Sequence, residues 1–272
     1  MKPYRYFKTL AKIGLAGNFV KSIIAFLFVT LLPQIAFLLP SKLKLSNYQF
    51  LIIMAVVTFI LVPCFRMGAI GFVSDSLLKK NTSLGNIFDG FKYVLKLIPL
   101  ILSKILPVIP FAVMAYIVFN YMSPETFEAL TKYAENPLEN AKLLSSITDK
   151  DYMLMILFEI SLIISLVLSI VLASYFAFTE YIIYNEKLSG IKALIKSMKM
   201  LKWHILYYIG FNFSFILWHL ASGITMGAST LILNPYKEAA FILFYNYLRF
   251  ENGEIEIPEP VKKAEEELNE EE

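Results

Sequence analysis

Six long apolar stretches alternate with shorter polar stretches along this chain of 272 residues. A hydrocarbon core about 30 Å thick is crossed by roughly 20 residues of α-helix. Every stretch approaches or exceeds that length, so the pattern predicts an all-α, polytopic bundle of six transmembrane helices. The predicted spans are approximately residues 20–40, 49–73, 101–122, 152–179, 203–222 and 225–248.

Basic residues concentrate at every second junction between the predicted spans. Lysine and arginine in short loops stay in the cytoplasm when a membrane protein inserts, and this orients the chain. Both termini are therefore predicted to be cytoplasmic, and the loop 123–151, which holds six acidic residues, is predicted to be external. Lys42 and Lys44, in the first external connection, are the exception. The basic residues are Lys2, Arg5, Lys8, Lys12 and Lys21 before the first span, Lys79, Lys80, Lys92 and Lys96 after the second, and Lys187, Lys192, Lys196, Lys199 and Lys202 after the fourth.

A cleaved signal peptide is the alternative interpretation of the N-terminus. Its charged region is too long, its apolar stretch exceeds the usual length of about 7–15 residues, and no small-residue cleavage site follows. The first apolar stretch is therefore interpreted as a span.

Each span that leaves the cytoplasm follows a short amphipathic segment. These segments are Phe7–Asn18, Leu84–Lys96 and Gly190–Lys202. A helix of this kind lies in the membrane interface, with its apolar side in the acyl boundary and its lysines near anionic head groups. The third segment places apolar residues at helical spacing beside a basic stripe that is predicted to contact lipid head groups. The apolar residues are Ile191, Leu194, Ile195, Met198, Leu201 and Ile205, and the stripe is Lys192, Lys196, Lys199 and Lys202.

The returning spans share a pattern near their inner ends. Arg66 lies three residues after Pro63, and Glu238 lies three residues after Pro235. The fourth span has no proline but ends comparably, at Glu180. The chain is therefore interpreted as three hairpins, each preceded by an amphipathic interfacial helix. Internal repeats are common in transporters, but a duplicated hairpin is also a simple way to build a bundle, so transport stays open.

Composition narrows the functional classes. With 57% hydrophobic residues and a mean hydropathy of +0.61, the chain is too apolar for an ordinary soluble domain. One cysteine, Cys64, excludes an internal disulfide, and two distant histidines, His204 and His219, do not suggest a metal site. No nucleophile elbow, zinc-protease motif or phosphate-binding loop is present. The sequence predicts no enzyme, cofactor, metal or nucleic-acid partner.

An acidic tail follows the predicted membrane domain, residues 1–250. Residues 251–272 carry ten glutamates against Lys262 and Lys263. Because so little apolar surface does not support an independent fold, the tail is predicted to be disordered in the cytoplasm. We interpret it as a solvated end. The alternatives are that it binds a basic partner or folds back on the lysines of 192–202.

Charged side chains inside spans are candidates for function, because each costs about 3 kcal/mol or more in hydrocarbon unless it is paired or hydrated. Arg66 and Glu238 are hypothesised to pair with each other across the bundle, or with Lys237. The alternative is that each extends separately to the inner interface. A pair would be structural rather than part of an ion path. Glu180 is predicted to cap the inner end of its span.

Prolines interrupt several spans, where each removes one backbone hydrogen-bond donor. Such breaks serve either as packing kinks or as sites for ions and substrates. They lie at Pro63, Pro107, Pro110 and Pro235.

The segment Asn234-Pro235-Tyr236 is the best candidate for a polar site within the membrane, since it combines a broken helix, an amide and a phenol beside Glu238. The alternative is that its polar groups only hydrogen-bond helices to one another. Side chains of the fifth span that are predicted to face it are Asn212, Ser214, His219 and Ser222.

The external loop contains one recognisable helix start, Ser123-Pro124-Glu125, with serine as the N-cap and proline in the first turn. Phe127, Leu130 and Tyr133 give this helix an apolar face. It is predicted to rest on the membrane surface or, alternatively, to form a lid.

Several segments resemble a bacterial family of integral membrane proteins catalogued as domain of unknown function 975. The likeness covers about residues 5–249 and departs at Trp203-His204, where the family often has a glycine-containing turn. It implies a multi-pass protein of the bacterial inner membrane and no particular activity. The segments that carry it are Ser197–Trp203, Phe213–Trp218, Gly223–Gly227, Asn234–Tyr236 and Phe244-Tyr245, with similar blocks at Leu15–Phe19 and Ile87–Lys92.

Three functional hypotheses follow. The first is a non-enzymatic protein that organises membrane lipids or a partner membrane protein. The second is a transporter or flippase-like carrier of a small or amphipathic molecule that uses the proline-broken sixth span. The third, an enzyme acting on lipid head groups, has no cluster of acids or histidines to support it. A cavity reaching Asn234 and Glu238 would favour transport, and a solidly packed bundle would favour the first hypothesis.

Overall fold

The computed structural model describes residues 1–43, 46–136, 147–225, 227–259, 261–263 and 266. Within these residues the chain is helical and contains no strand, so the all-α prediction is confirmed. Short 3-10 helices occupy Leu84–Tyr93 and Leu106–Val108, and a π-helical turn, Val57–Leu61, joins α3 to α4. The α-helices are α1 (Tyr4–Leu15), α2 (Phe19–Leu43), α3 (Asn47–Val56), α4 (Val62–Leu77), α5 (Val94–Ile105), α6 (Ile109–Tyr121), α7 (Pro124–Glu135), α8 (Asp149–Tyr175), α9 (Thr179–Glu186), α10 (Gly190–Leu201), α11 (Ile205–Phe213), α12 (Ile216–Ile224) and α13 (Ala228–Glu251).

Among the described residues, five helical segments are long and apolar enough to cross a membrane. Between 11% and 22% of the residues in their apolar stretches are buried within the protein. Apolar surface exposed on this scale requires a lipid environment, so the chain is a membrane protein with several spans. The segments are Phe19–Leu38, Tyr48–Leu77, Leu84–Tyr121, Asp149–Glu186 and Ile205–Ile224.

The sixth predicted span, 225–248, coincides with α13, which is not among these five segments. Asn234, Lys237 and Glu238 make the middle of α13 polar. Another boundary also differs, because the second interfacial segment and the third span are continuous from Leu84 to Tyr121. The arrangement of six spans in three hairpins therefore stays a prediction.

The described chain divides into two compact units, and the first comprises residues 1–101 and 174–272. Aromatic rings form its core: the centroids of Phe211 and Phe241 are 4.7 Å apart, and those of Phe7 and Phe244 are 5.4 Å apart. From the amphipathic pattern of α1, we expect its apolar side to be buried in the acyl chains of the lipid. That side is instead buried in the protein, because the rings of α11 and α13 cover it. Its buried residues are Phe7, Leu10, Ala11 and Leu15.

The second predicted interfacial segment begins with the 3-10 helix Leu84–Tyr93, which packs closely against α4. A Cβ added at Gly90 would lie 1.8 Å from the carbonyl oxygen of Cys64, and one at Gly68 would lie 1.8 Å from that of Ile87. Only glycine fits at either contact. This close approach buries Ile87 in the protein and not in lipid.

The third predicted interfacial segment, α10, is buried along a stripe that includes Gly190, Ala193 and Ser197. The hydroxyl of Ser197 accepts a hydrogen bond from the Phe178 N–H at 3.1 Å and donates one to the Tyr175 carbonyl at 2.7 Å. These backbone groups lie at the break between α8 and α9, where helical bonding is interrupted. Ser197 therefore fastens α10 to that break.

The predicted proline interruptions differ in kind. Pro63 follows the π-helical turn, Pro107 lies in the 3-10 helix Leu106–Val108, and Pro110 stands in the first turn of α6. Pro235 lies inside α13, which continues through it. The prediction that Pro235 breaks its helix is therefore wrong. Proline removes a single hydrogen-bond donor from the helix, and the backbone hydrogen bonds of the helix continue before and after it.

The second unit, residues 102–173, contains the predicted external helix. Ser123 caps α7, because its Oγ accepts from the Thr126 N–H at 3.3 Å, and this predicted helix start is confirmed. Asp151, at the start of α8, accepts from the Ser123 hydroxyl at 2.5 Å and from the Thr126 hydroxyl at 2.7 Å. The polar cluster ties the beginnings of the two helices together. Residues 137–146 of the predicted loop lie outside the described residues.

Candidate functional site

Three charged side chains meet inside the first unit. Arg66 Nε lies 2.8 Å from Glu180 Oε2, and Arg66 Nη2 lies 2.6 Å from Glu238 Oε1. The side chain of Arg66 is 35% exposed, whereas those of Glu180 and Glu238 are 7% and 10% exposed. The predicted ion pair between Arg66 and Glu238 is therefore confirmed. We refer to these three residues as the charge cluster.

The members of the charge cluster occupy equivalent positions in the repeated pattern of the returning spans. Arg66 and Glu238 each lie three residues after a proline, and Glu180 lies three residues after Ala177. The repeat thus brings one charged residue from each of α4, α9 and α13 to one point. The prediction that Glu180 caps its span is wrong, because its carboxylate binds Arg66. The sequence shows that the three positions match, but only packing makes them neighbours.

The charge cluster carries one guanidinium against two carboxylates. Tyr181, from α9, donates a hydrogen bond of 2.5 Å to Glu238 Oε2 and so satisfies the oxygen that Arg66 does not contact. The sequence left open that Lys237 pairs with a member of the charge cluster, but its ammonium group has a different partner. Its Nζ lies 3.3 Å from His219 Nε2 instead. Arg66 and Tyr181 therefore satisfy both oxygens of Glu238, Arg66 also binds Oε2 of Glu180, and the arrangement cross-links three helices.

The polar site predicted around Asn234 does not form as one unit. Asn234 Nδ2 lies 3.4 Å from Thr30 Oγ1, so it joins α13 to α2. Asn212 donates to the Tyr208 carbonyl at 3.2 Å and Ser214 donates to the Phe211 carbonyl at 2.6 Å, both within their own helical segment. On helices of low polarity such bonds mainly hold segments together. The predicted site residues are thus divided among Asn234 with Thr30, His219 with Lys237, and the charge cluster.

Tyr236 lines a different feature, an apolar groove of about 300 Å³ in the first unit. Its ring packs on Phe215 with centroids 5.9 Å apart. Among the described residues that line the groove, Lys12, on α1, is the charged one. Sequence reasoning missed Lys12 and Trp218 as partners of Tyr236, because nothing in their spacing relates α1, α12 and α13. The groove is lined by Lys12, Leu15, Ala16, Phe19, Trp218, Ile232, Leu233 and Tyr236.

A second groove, of about 460 Å³, lies between α10 and the end of α13, and we call it the basic groove. Three of the four lysines predicted to contact lipid head groups line it. The fourth, Lys202, lies over the ring of Trp203, with its Nζ 5.1 Å from the centroid. The residues that line the basic groove are Lys192, Ile195, Lys196, Lys199, Met200, Asn252 and Glu254.

The lysines of the basic groove are not equivalent. Lys196 Nζ lies 2.8 Å from Glu186 Oε2 and 2.7 Å from Glu254 Oε2. Partial burial lowers the pKa of the Lys196 ammonium, but the two carboxylates outweigh that effect and raise the pKa above its usual value. Within the part of the chain that the structure describes, no carboxylate pairs with Lys192 or Lys199. Lys196 is therefore already occupied, whereas the other two face the groove.

Glu254 shows that the beginning of the acidic tail contacts α10. At Glu254 this contact agrees with the fold-back that the sequence left as an alternative to a solvated end, and residues 260, 264, 265 and 267–272 of the tail lie outside the described residues. Burial tends to raise the pKa of the Glu254 carboxyl, but hydrogen bonds from Lys196 and Arg249 outweigh it and lower the pKa. The part of the tail around Glu254 is therefore held by charge.

Among the described residues, no group of three or more histidine, cysteine, aspartate or glutamate side chains could hold a metal ion. Cys64 is buried and free.

Comparison with known protein families identifies a match. The family described as "Protein of unknown function (DUF975)" matches residues 1–252. No curated protein and no solved structure matches the chain. The match agrees with the resemblance seen in the sequence, and it ends where the acidic tail begins.

Proposed function

The chain belongs to the DUF975 family of proteins of unknown function, and on that premise we propose that it is a non-enzymatic protein of the bacterial inner membrane that organises anionic lipids or a partner membrane protein. The groove and surface of α10 are the place where it does so.

The proposed topology has six spans in three hairpins, with both termini in the cytoplasm. The alternation of basic and acidic connections supports this orientation. The sixth span is α13, whose 24 residues extend about 36 Å at 1.5 Å per residue, enough to cross the hydrocarbon core. Pairing of Glu238 with Arg66 supports this assignment, since a paired charge costs less in hydrocarbon than an isolated one.

The observation that carries the proposal is the division of α10 into two sides. One side is buried against the protein through Gly190, Ala193 and Ser197. Large apolar side chains remain outside, with Ile191 62% and Ile195 48% exposed. Lysines stand beside them at the basic groove. A helix anchored on one side, with exposed apolar residues next to lysines on the other, suits the interface of an anionic membrane.

The test compares anionic lipid binding by two double variants of the purified protein. Each lysine near an anionic surface contributes about 1 kcal/mol, so Lys192→Gln with Lys199→Gln weakens phosphatidylglycerol binding by about 2 kcal/mol, or about 30-fold. Lys262→Gln with Lys263→Gln removes the same charge from the tail and serves as the control. Binding is measured by native mass spectrometry of protein released from detergent. Equal retention of phosphatidylglycerol by both variants would remove the basis of the proposal.

The apolar groove beside Tyr236 favours a second candidate, a carrier of an amphipathic molecule. The groove combines an apolar lining with the cation of Lys12, as expected of a site for one acyl chain with an acidic head. The assay measures movement of a fluorescent phospholipid between leaflets of proteoliposomes. Ala16→Trp fills the groove and is expected to abolish the movement, whereas Ala112→Trp on α6 leaves it intact. Movement no faster than in protein-free liposomes would exclude this candidate.

A further inference from the structure

The end of α13 places one carboxylate of the chain inside the basic groove. Gly253 has a positive φ of 69°, and hydrogen bonds run from its N–H to the Phe250 carbonyl at 2.9 Å and from the Glu254 N–H to the Arg249 carbonyl at 2.9 Å. This pattern is a Schellman motif, in which glycine adopts the left-handed conformation that ends a helix. The turn directs the Glu254 side chain back towards α10, where it is 31% exposed. Its position is therefore set by the helix end.

Glu254 occupies the cationic centre of the basic groove. Its Oε2 lies 2.7 Å from Lys196 Nζ and 3.3 Å from Arg249 Nε. Glu186 contacts the same lysine but is also held by the Tyr245 hydroxyl at 2.8 Å. Glu186 is therefore fixed beside the basic groove by its contacts with α10 and α13. Glu254 belongs to the short segment that follows α13.

The segment after Glu254 is attached by weak apolar contact. Ile257, Pro258 and Val261 border a narrow space of about 30 Å³ beside Tyr6 and other residues of α1 and α13. The next glutamate, Glu256, is exposed. Displacing Glu254 from the groove thus separates one ion-paired carboxylate and a few apolar side chains, without disturbing the aromatic core.

With Glu254 moved out, the basic groove presents Lys192, Lys196 and Lys199, and Lys196 keeps its ion pair with Glu186. The phosphodiester of a lipid head group offers two non-bridging oxygen acceptors and one negative charge, and it forms strong charge-assisted hydrogen bonds with such cations. Apolar contact is available beside the lysines from Ile195 and Met200. The cations and the apolar floor together match a phosphate that carries an acyl chain.

We propose that the basic groove is a binding site for a phosphate-bearing lipid head group, and that Glu254 is an internal carboxylate which occupies the site until the phosphate displaces it. The lipid phosphate binds Lys192, Lys196 and Lys199, and its acyl chain lies along Ile195. The acidic tail then leaves α10 and becomes accessible to other molecules. This inference rests on the proposed function, whose lysines it uses, and adds the site, the ligand class and the competitor.

The experiment measures the affinity of purified full-length protein for short-chain phosphatidylglycerol below its micelle concentration. Glu254→Gln removes the competitor and is expected to tighten binding about tenfold, the gain when a groove that is open about a tenth of the time becomes open throughout. Glu256→Gln changes the net charge by the same amount, two residues away, and is expected to change affinity less than twofold. Inorganic phosphate is titrated in parallel. If it binds as tightly as the lipid, a soluble phosphate is the ligand and the lipid assignment is overturned.

Tail release supplies a second readout. Trypsin cleavage at Lys262 and Lys263 is expected to accelerate when phosphatidylglycerol is added to the wild type, and to be fast without lipid in Glu254→Gln. Equal affinity gains in Glu254→Gln and Glu256→Gln would overturn the role of Glu254 as competitor. If Lys192→Gln with Lys199→Gln still weakens lipid binding in that case, the proposed function survives while this inference fails. If those lysines have no effect either, both fail.

Discussion

Removal of the guanidinium from the charge cluster tests the central packing contact of the first unit. In Arg66→Gln, two carboxylates that are 7% and 10% exposed lose contacts of 2.8 and 2.6 Å. A hydrogen bond to a charged group contributes about 1.5–3 kcal/mol, and breaking a buried ion pair costs about 3–5 kcal/mol. Because Arg66 itself is 35% exposed, we expect the lower end, a loss of about 3 kcal/mol in the free energy of unfolding.

The measurement is reversible unfolding of the purified protein in mixed micelles, followed by circular dichroism as sodium dodecyl sulfate is titrated. Arg5→Gln is the control, since Arg5 is exposed on α1. The triple variant Arg66→Gln, Glu180→Gln, Glu238→Gln is expected to recover most of the loss, because replacing a whole buried ionic group is often nearly neutral. Exchange of the charges in Arg66→Glu with Glu238→Arg recovers part of it, since two carboxylates and one guanidinium remain.

Two results would refute the reasoning. A loss below about 1 kcal/mol in Arg66→Gln, similar to an exposed ion pair, would mean that the cluster is not a cross-link. A triple variant less stable than the single variant would mean that the carboxylates stabilise the fold without Arg66. Either outcome would mean that the shared spacing of Arg66, Glu180 and Glu238 does not stabilise the fold through the charge cluster.

Three further predictions concern other contacts. Gly90→Ala is expected to abolish stable folding, because the added Cβ would lie 1.8 Å from the Cys64 carbonyl oxygen. The effect is measured as loss of monodisperse protein. Gly85→Ala is the control and is expected to fold normally, since its added Cβ has its nearest contact at 3.7 Å. Ser197→Ala is expected to cost about 1–3 kcal/mol in the same unfolding titration, because it leaves backbone groups of Phe178 and Tyr175 without their partner, and a loss below about 0.5 kcal/mol would contradict this. The contact between Glu254 and Lys196 is expected to weaken on acidification. The folded state lowers the pKa of the Glu254 carboxyl from 4.5, so the stabilisation from this contact is complete above about pH 4.5 and is lost as the pH falls through the lowered value. The charged groups around Glu254 are Lys196, Arg249 and Glu186. A spin label on E256C reports this as increased mobility, and a label whose mobility is unchanged from pH 7 to pH 3 would contradict the assignment.

The sequence alone determined the properties that depend on neighbouring residues. Apolar length and hydropathy are local quantities, which is why the segments from Phe19 to Leu38 and from Ile205 to Ile224 were predictable as helices able to cross a membrane. The helix start at Ser123 was predictable because the N-cap bonds a donor only three residues away. The shared spacing of Arg66, Glu180 and Glu238 was visible for the same reason.

Tertiary structure alone decided which of these residues meet. The partner of Arg66 at Glu180 is 114 residues away in the chain, and no local pattern specifies a contact of that separation. The amphipathic face of α1 was readable, but whether lipid or protein would cover it depended on the rings of α11 and α13. Likewise, the charge of the tail was plain in the sequence, while its contact with Lys196 required the turn at Gly253 to be placed beside α10. Local chemistry sets what each segment requires, and packing decides which other segment supplies it.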